Sequence, residues 1–238
     1  MENNNFRMGL RDGIPIALGY LAVSFAFGIS SAMMGLSPIE ALLISLLNLT
    51  SAGQLAGMPI IAGGGSLIEL ALTQLVINSR YALMSVSLSQ RLSPKIRGLD
   101  RAVAGFGITD EIFATAYGKE QTLGRSYLFG LFIFPIVGWT LGTLLGAIAG
   151  DILPDVVVNA LSVAMYAMFI AIIVPAVKKS LPILVAVLLA VAISSAFYYI
   201  PFLSVVPAGF TIIISAVVAS LVLALVAPVK DEEEEVAE

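Results

Sequence analysis

Six stretches of this chain, residues 14–34, 67–90, 127–149, 156–177, 182–199 and 208–229, are each apolar over the length of a membrane span, and no other feature limits the fold so severely. As helices they reach roughly 27–36 Å, which suits a hydrocarbon core about 30 Å thick. A soluble domain carries about a quarter charged residues, whereas here 12% are charged and 59% hydrophobic. The expected class is an all-α polytopic membrane protein, multi-pass in the cell membrane. One transmembrane domain covers 1–230, and an acidic, solvated tail follows at 231–238. His and Cys are absent, which removes the commonest general base, thiolate nucleophiles and most structural zinc sites. No catalytic residue, metal or cofactor is therefore expected, and any chemistry rests on carboxylates, Arg, amides, hydroxyls and backbone.

Two more apolar segments are interrupted. Residues 41–62 contain Thr50-Ser51-Ala52-Gly53-Gln54, and residues 99–117 contain Gly105, Gly107, Thr109, Asp110 and Glu111 at their middle. The expectation is about six full spans plus two broken or re-entrant segments, or seven to eight spans if the broken ones cross. Local signals punctuate the chain. Ser37-Pro38-Ile39-Glu40 reads as an N-cap, a proline at the first helical position and a reciprocal capping-box acid. After Gly63-Gly64-Gly65, Ser66 to Glu69 reads as a second capping box, so neither Glu40 nor Glu69 is assigned chemistry.

Lys and Arg concentrate on cytoplasmic loops. If both broken segments return to the side they started from, every Lys and Arg except Arg80 lies on one side, which places both termini in the cytoplasm. If both cross, the basic loop 91–101 moves outside and violates the rule.

Arg80 sits near the middle of its 24-residue segment, where an unpaired charge is expensive. Thr73, Arg80 and Ser87 share one helical face, and Gln74, Asn78, Ser85 and Ser89 share the opposite one. A helix polar on both sides is expected at the centre of the bundle. Arg80 is either a structural ligand of a carboxylate or broken-helix carbonyls, or a contact for substrate. The stretch Thr50–Gln54 is either a glycine kink or an unwound break whose free backbone lines a cavity, as in transporters that hold substrate carboxylates. Asp110 and Glu111 follow Thr109 as an N-cap, where acids suit the helix dipole without any function; their depth in an apolar segment favours more. Gly138, Gly142, Gly146 and Gly150 recur every four residues, a face for close helix packing within the chain or with another protein.

These residues, in this order, resemble the AzlC family, the large subunit of branched-chain amino acid exporters. The resemblance rests on the segment from Gly9 to Gly19 with Asp12-Gly13-Ile14-Pro15, on Ser51-Ala52-Gly53-Gln54, on Asn78-Ser79-Arg80 and on Thr109-Asp110-Glu111. Where the family often shows a His after the Arg, this chain has Tyr81. The resemblance implies efflux of branched-chain or other apolar amino acids driven by the proton gradient, with a small hydrophobic membrane partner of the AzlD type. The candidate substrate-binding residues are then Arg80, Asn78, Gly53, Gln54 and Ser51. Arg80 and the broken segment would take the amino acid's carboxylate, Asp110 or Glu111 its ammonium, and these two acids are also the coupling candidates. A channel or a non-transporting scaffold is the alternative. A membrane-embedded hydrolase is disfavoured, because adjacent helical carboxylates diverge by about 100°.

Overall fold

The computed structural model describes residues 5–119, 122–150 and 152–227. The acidic tail lies outside the described residues. Among those described are ten α-helices: α1 (Phe6–Met33), α2 (Pro38–Leu47), α3 (Ser51–Ala62), α4 (Leu67–Ser89), α5 (Leu99–Phe106), α6 (Asp110–Tyr117), α7 (Arg125–Gly150), α8 (Asp155–Lys179), α9 (Leu181–Tyr199) and α10 (Ala208–Val226). Helices α1, α7, α9 and α10 are long and apolar enough to cross a membrane. Helix α4, with 23 residues, has the length but carries a row of polar side chains. Helix α1 starts well ahead of its apolar run because Asn5 caps it, its side chain accepting from the Met8 N–H at 2.9 Å. Arg7 and Arg11 are therefore helical.

Helices α1 and α7 form the spine. Their numbering rises together along the contact: Gly13 faces the Leu131 carbonyl, Gly138 faces Ala17, Gly142 faces Leu21, Gly146 faces Phe25 and Gly150 faces Ile29 and Ala32. The two helices are parallel and touch backbone to backbone, which only glycine and other small residues allow. The four-residue glycine repeat is thus filled from within the chain, by α1.

The two broken segments form hairpins entering from opposite ends of this spine. Helix α2 begins just after α1 ends, and α3 finishes back at that end, where its Met58 sulfur accepts from Ser31 Oγ at 2.9 Å. Leu36, Ile44 and Leu55 pack with Met58 on Ala26 and Phe27. Helix α4 then runs antiparallel to the spine, and Leu88 near its end joins Leu123, Tyr127, Leu128 and Leu131 at the start of α7. Helices α5 and α6 leave from and return to that second end. There Arg91 Nη1 donates to the Lys119 carbonyl at 2.9 Å, and Lys119 pairs with Asp12 at 2.7 Å.

Several local expectations need correction. The first break falls at Asn48–Thr50, ahead of the residues read as unwound, and Ser51 to Gln54 form the first turn of α3. Asn48 explains this shift: extended at the end of α2, it accepts from Thr50 Oγ1 at 2.6 Å and donates to Gln74 Oε1 at 3.3 Å. The second break, Gly107–Thr109, lies where it was read, and Thr109 Oγ1 accepts from the Ile112 N–H at 3.3 Å. The Ser37–Glu40 capping box forms in both directions. At Ser66 only one half forms: its hydroxyl accepts from the Glu69 N–H, while the Glu69 carboxylate turns to the Gly209 N–H on α10, 2.9 Å away. Nor is α4 central. Only Glu69, Thr73 and Leu88 of that helix are buried, and Ile68, Leu75, Leu83 and Val86 stand exposed along it. Of its polar residues, Gln74 and Asn78 meet α3, Thr73 faces α10, and Arg80 opens to a cavity at the two breaks.

Candidate functional site

A cavity of about 530 Å³ lies where the two breaks meet. From the first hairpin it takes Leu49, Ser51 and Ala52; from the second, Thr109, Asp110 and Glu111; from α4, Arg80 and Tyr81. Pro15, Ile16, Gly19, Tyr20 and Val23 of α1, Trp139 of α7, and Ala171 and Ile173 of α8 supply most of the remaining wall. The lining is mainly apolar, and its charged residues are Arg80, Asp110 and Glu111.

Arg80 Nη1 donates to Asp110 Oδ2 at 2.6 Å, joining α4 to the first turn of α6. Both side chains are open to the cavity, 42% and 43% exposed, so the pair is screened rather than sealed. Arg80 Nη2 also donates to the Tyr81 hydroxyl at 3.2 Å. Glu111 takes a different partner. The Tyr20 hydroxyl hydrogen-bonds to the Glu111 carboxylate and lies 2.5 Å from Thr109 Oγ1. Adjacent acids on α6 are thereby separated, one held by a cation and one by a phenol. The first turn of α3 contributes another polar element. Its N-cap, Thr50, makes no side-chain cap bond, because its hydroxyl is turned to Asn48. The positive end of the α3 dipole is left beside the cavity at Ser51 and Ala52.

Of the sequence-derived candidates, Arg80, Ser51, Asp110 and Glu111 line the cavity, and Gln54, Gly53 and Asn78 do not. Gln54 is buried behind the wall at 1% exposure. Its Oε1 accepts from Trp139 Nε1 at 2.8 Å and its Nε2 donates to Ser45 Oγ at 2.9 Å. Ser45 is bonded to Thr143 Oγ1 at 2.7 Å. The Gln54 amide therefore ties both halves of the first hairpin to α7. Asn78 donates to Gln74 Oε1 at 2.9 Å, and Gln74 Nε2 donates to the Gly53 carbonyl at 2.8 Å. This amide ladder fastens α3 to α4. A Cβ at Gly53 would crowd the Thr50 hydroxyl first and Gln74 Oε1 next, both of them side-chain atoms.

Tyr20 and Trp139 were missed by sequence reasoning. Their rings meet edge to face, with centroids 5.2 Å apart, and both line the cavity. The available signal was chemical: each is a polar-tipped aromatic deep in an apolar run, and such groups need a hydrogen-bond partner when buried.

Comparison with known proteins gives a family match: the model described as AzlC protein matches residues 15–153. That stretch holds both breaks and nearly all of the cavity wall. The chain is 31% identical over 143 residues to the inner membrane protein YgaZ of Escherichia coli (strain K12), covering 58% of each protein. It is 30% identical over 138 residues to an uncharacterized membrane protein of Archaeoglobus fulgidus, covering 58% of this chain and 59% of that one. A Helicobacter pylori (strain 26695) membrane protein is 25% identical over 148 residues, covering 59% and 64%. The chain thus spans less than two thirds of the length of these relatives. No solved structure matches it.

Proposed function

The chain belongs to the AzlC family, and from that membership we propose that it is a secondary transporter exporting branched-chain or other apolar amino acids, coupled to protons and working with a small AzlD-type membrane subunit. In this reading both termini are cytoplasmic, and the two hairpins re-enter from opposite faces of the membrane.

One observation carries the proposal. An apolar cavity, within the usual ligand-pocket range of roughly 300–1,000 Å³, has an open Arg80–Asp110 pair and an uncapped helix start on its wall. A zwitterionic amino acid can enter that ion pair without leaving either charge unmatched. Its carboxylate takes Arg80 and the first-turn N–H groups of α3, and its ammonium takes Asp110. Its aliphatic side chain then lies against Pro15, Ile16, Val23 and Trp139. Because the incoming charges replace each other's partners, the exchange avoids the penalty of stripping a partner from a desolvated ion.

Glu111 supplies the coupling site. Its carboxylate is held by the Tyr20 phenol rather than by a cation, so protonation there removes no ion pair. The first hairpin and the second would rock about the α1–α7 spine as occupancy of the cavity changes.

Counterflow in proteoliposomes tests the reading. Vesicles containing the chain with its small partner and preloaded with unlabelled leucine should accumulate labelled leucine transiently, and Arg80→Gln should abolish this. A channel equilibrates label without overshoot, and a scaffold moves none.

A further inference from the structure

Four glycines lie within α1, and three have a packing reason. A Cβ on Gly9, Gly13 or Gly28 would run into the carbonyl oxygen of Tyr127, Leu131 or Thr143 respectively, all backbone atoms of α7. Gly19 has no such neighbour. A Cβ there would meet nothing within 4 Å, and the backbone at this position is helical. Glycine inside a helix is less stable than alanine, so neither close packing nor backbone conformation accounts for it.

Gly19 lines the cavity. On the same face of α1, Pro15 and Ile16 stand one turn before it and Val23 one turn after, and all three are also in the cavity wall. The absent side chain therefore leaves a notch in an aliphatic wall, open to the cavity. The Tyr20–Trp139 ring pair borders the same space, and an aromatic solute gains from ring contacts beyond the area it buries. Volume points the same way. The cavity holds about 530 Å³. Allowing every non-hydrogen atom a full water's share of about 30 Å³, leucine takes less than about 270 Å³ and phenylalanine less than about 360 Å³. Leucine thus leaves about half of the space unused, and a larger side chain fits.

We propose that the notch at Gly19 receives the far end of the solute's side chain, and that large aromatic amino acids are carried beside the aliphatic ones. The inference rests on the transporter reading above and deepens it by naming a further substrate class and the residue that admits it. The ammonium and carboxylate keep their places at Asp110 and Arg80, while the residue at position 19 sets how large a side chain is accepted.

The test uses phenylalanine, leucine and valine as probes. Trp139 is the only tryptophan in the sequence, so its emission reports on the cavity without any transport. In lipid nanodiscs, excited where phenylalanine does not absorb, that emission should change on titration with each probe. Proteoliposomes containing the chain with its small partner and preloaded with leucine should accumulate labelled phenylalanine transiently, as they do labelled leucine. Gly19→Leu fills the notch. One methylene in an apolar pocket is worth about tenfold or more in discrimination, so the affinity for phenylalanine relative to valine should fall by at least about tenfold. Gly19→Ala should lower the same ratio by a smaller factor. Leucine counterflow without phenylalanine counterflow overturns the inference and leaves the transporter reading standing, as does an unmoved ratio in folded Gly19→Leu. Loss of the small partner from Gly19→Leu with the ratio unmoved also overturns it and assigns the notch to a helix contact. If Gly19→Leu does not fold, an unmoved ratio in Gly19→Ala is decisive against it. Absence of leucine counterflow in the native protein overturns the transporter reading itself, and this inference with it.

Discussion

Replacing Gly138 by alanine measures how much of the spine's stability depends on backbone contact. The added Cβ would lie 2.6 Å from the Ala17 carbonyl oxygen, 3.1 Å from its Cα and 3.2 Å from its carbonyl carbon, all backbone atoms that no rotamer change can move. Restoring ordinary contact means parting α1 and α7 by somewhat under 1 Å at this level, and close packing there is what drives helix association in lipid. Overpacking of this kind costs about 1–3 kcal/mol. Alanine's better helix propensity returns about 1 kcal/mol, so the net loss is about 0–2 kcal/mol. Gly19→Ala is the control, because Gly19 lies within α1 and its Cβ would meet nothing within 4 Å. There only the propensity term acts, and the variant should gain about 0.5–1 kcal/mol. Thermal unfolding followed by the monodisperse peak on size-exclusion chromatography ranks the three proteins. The expected order is Gly19→Ala above native and native above Gly138→Ala. If Gly138→Ala rises together with Gly19→Ala, the spine is not in backbone contact at this level and the reasoning fails.

Arg80→Lys keeps the charge but loses the planar fork, so apparent affinity for the transported amino acid should fall about tenfold, equivalent to about 1.4 kcal/mol; an unchanged affinity in the counterflow assay would confine Arg80 to holding α6. Asp110→Asn should lose both exchange and pH-driven efflux, whereas Glu111→Gln should keep exchange and lose only the pH-driven component; equal loss in both variants would remove the division of roles. Trp139→Phe leaves the buried Gln54 Oε1 without its donor and should cost about 1–3 kcal/mol of stability, read as a lower unfolding temperature, and no change would show that water replaces the indole. A cysteine at Arg97, an exposed loop position, should resist an impermeant thiol reagent in intact cells while one at Pro154 reacts; labelling of the Arg97 site from outside would mean that the hairpins cross.

Features encoded within a few residues were legible in the chain. The helical membrane class follows from span-length apolar runs. The Ser37 box, the Thr109 cap and the Gly107 break sit where the sequence put them, because each involves groups within one helical turn. The first break was misplaced by a few residues because Gly53 suggested flexibility there. Gly53 instead lies in the first turn of α3, where its carbonyl accepts from Nε2 of Gln74, a residue distant in sequence. The same limit applied to Gln54 and Asn78. Their polar character and depth were readable, but an amide on a buried helix turn serves equally well as a ligand or as a wall fastening, and only the positions of Trp139, Ser45 and Gln74 decide.

By itself the sequence determined the class of fold, the glycine stripe and the concentration of charge at Arg80, Asp110 and Glu111, since composition and periodicity need no knowledge of neighbours. Tertiary structure alone decided which surface met which. It put α1 on the glycine stripe, brought both helix breaks to one cavity, split two adjacent acids between Arg80 and Tyr20, and turned Glu69 from its own helix to the start of α10. The physical reason is common to all four. A polar or small side chain at membrane depth must find a partner, its chemistry states only what kind, and the packing of distant helices supplies which one.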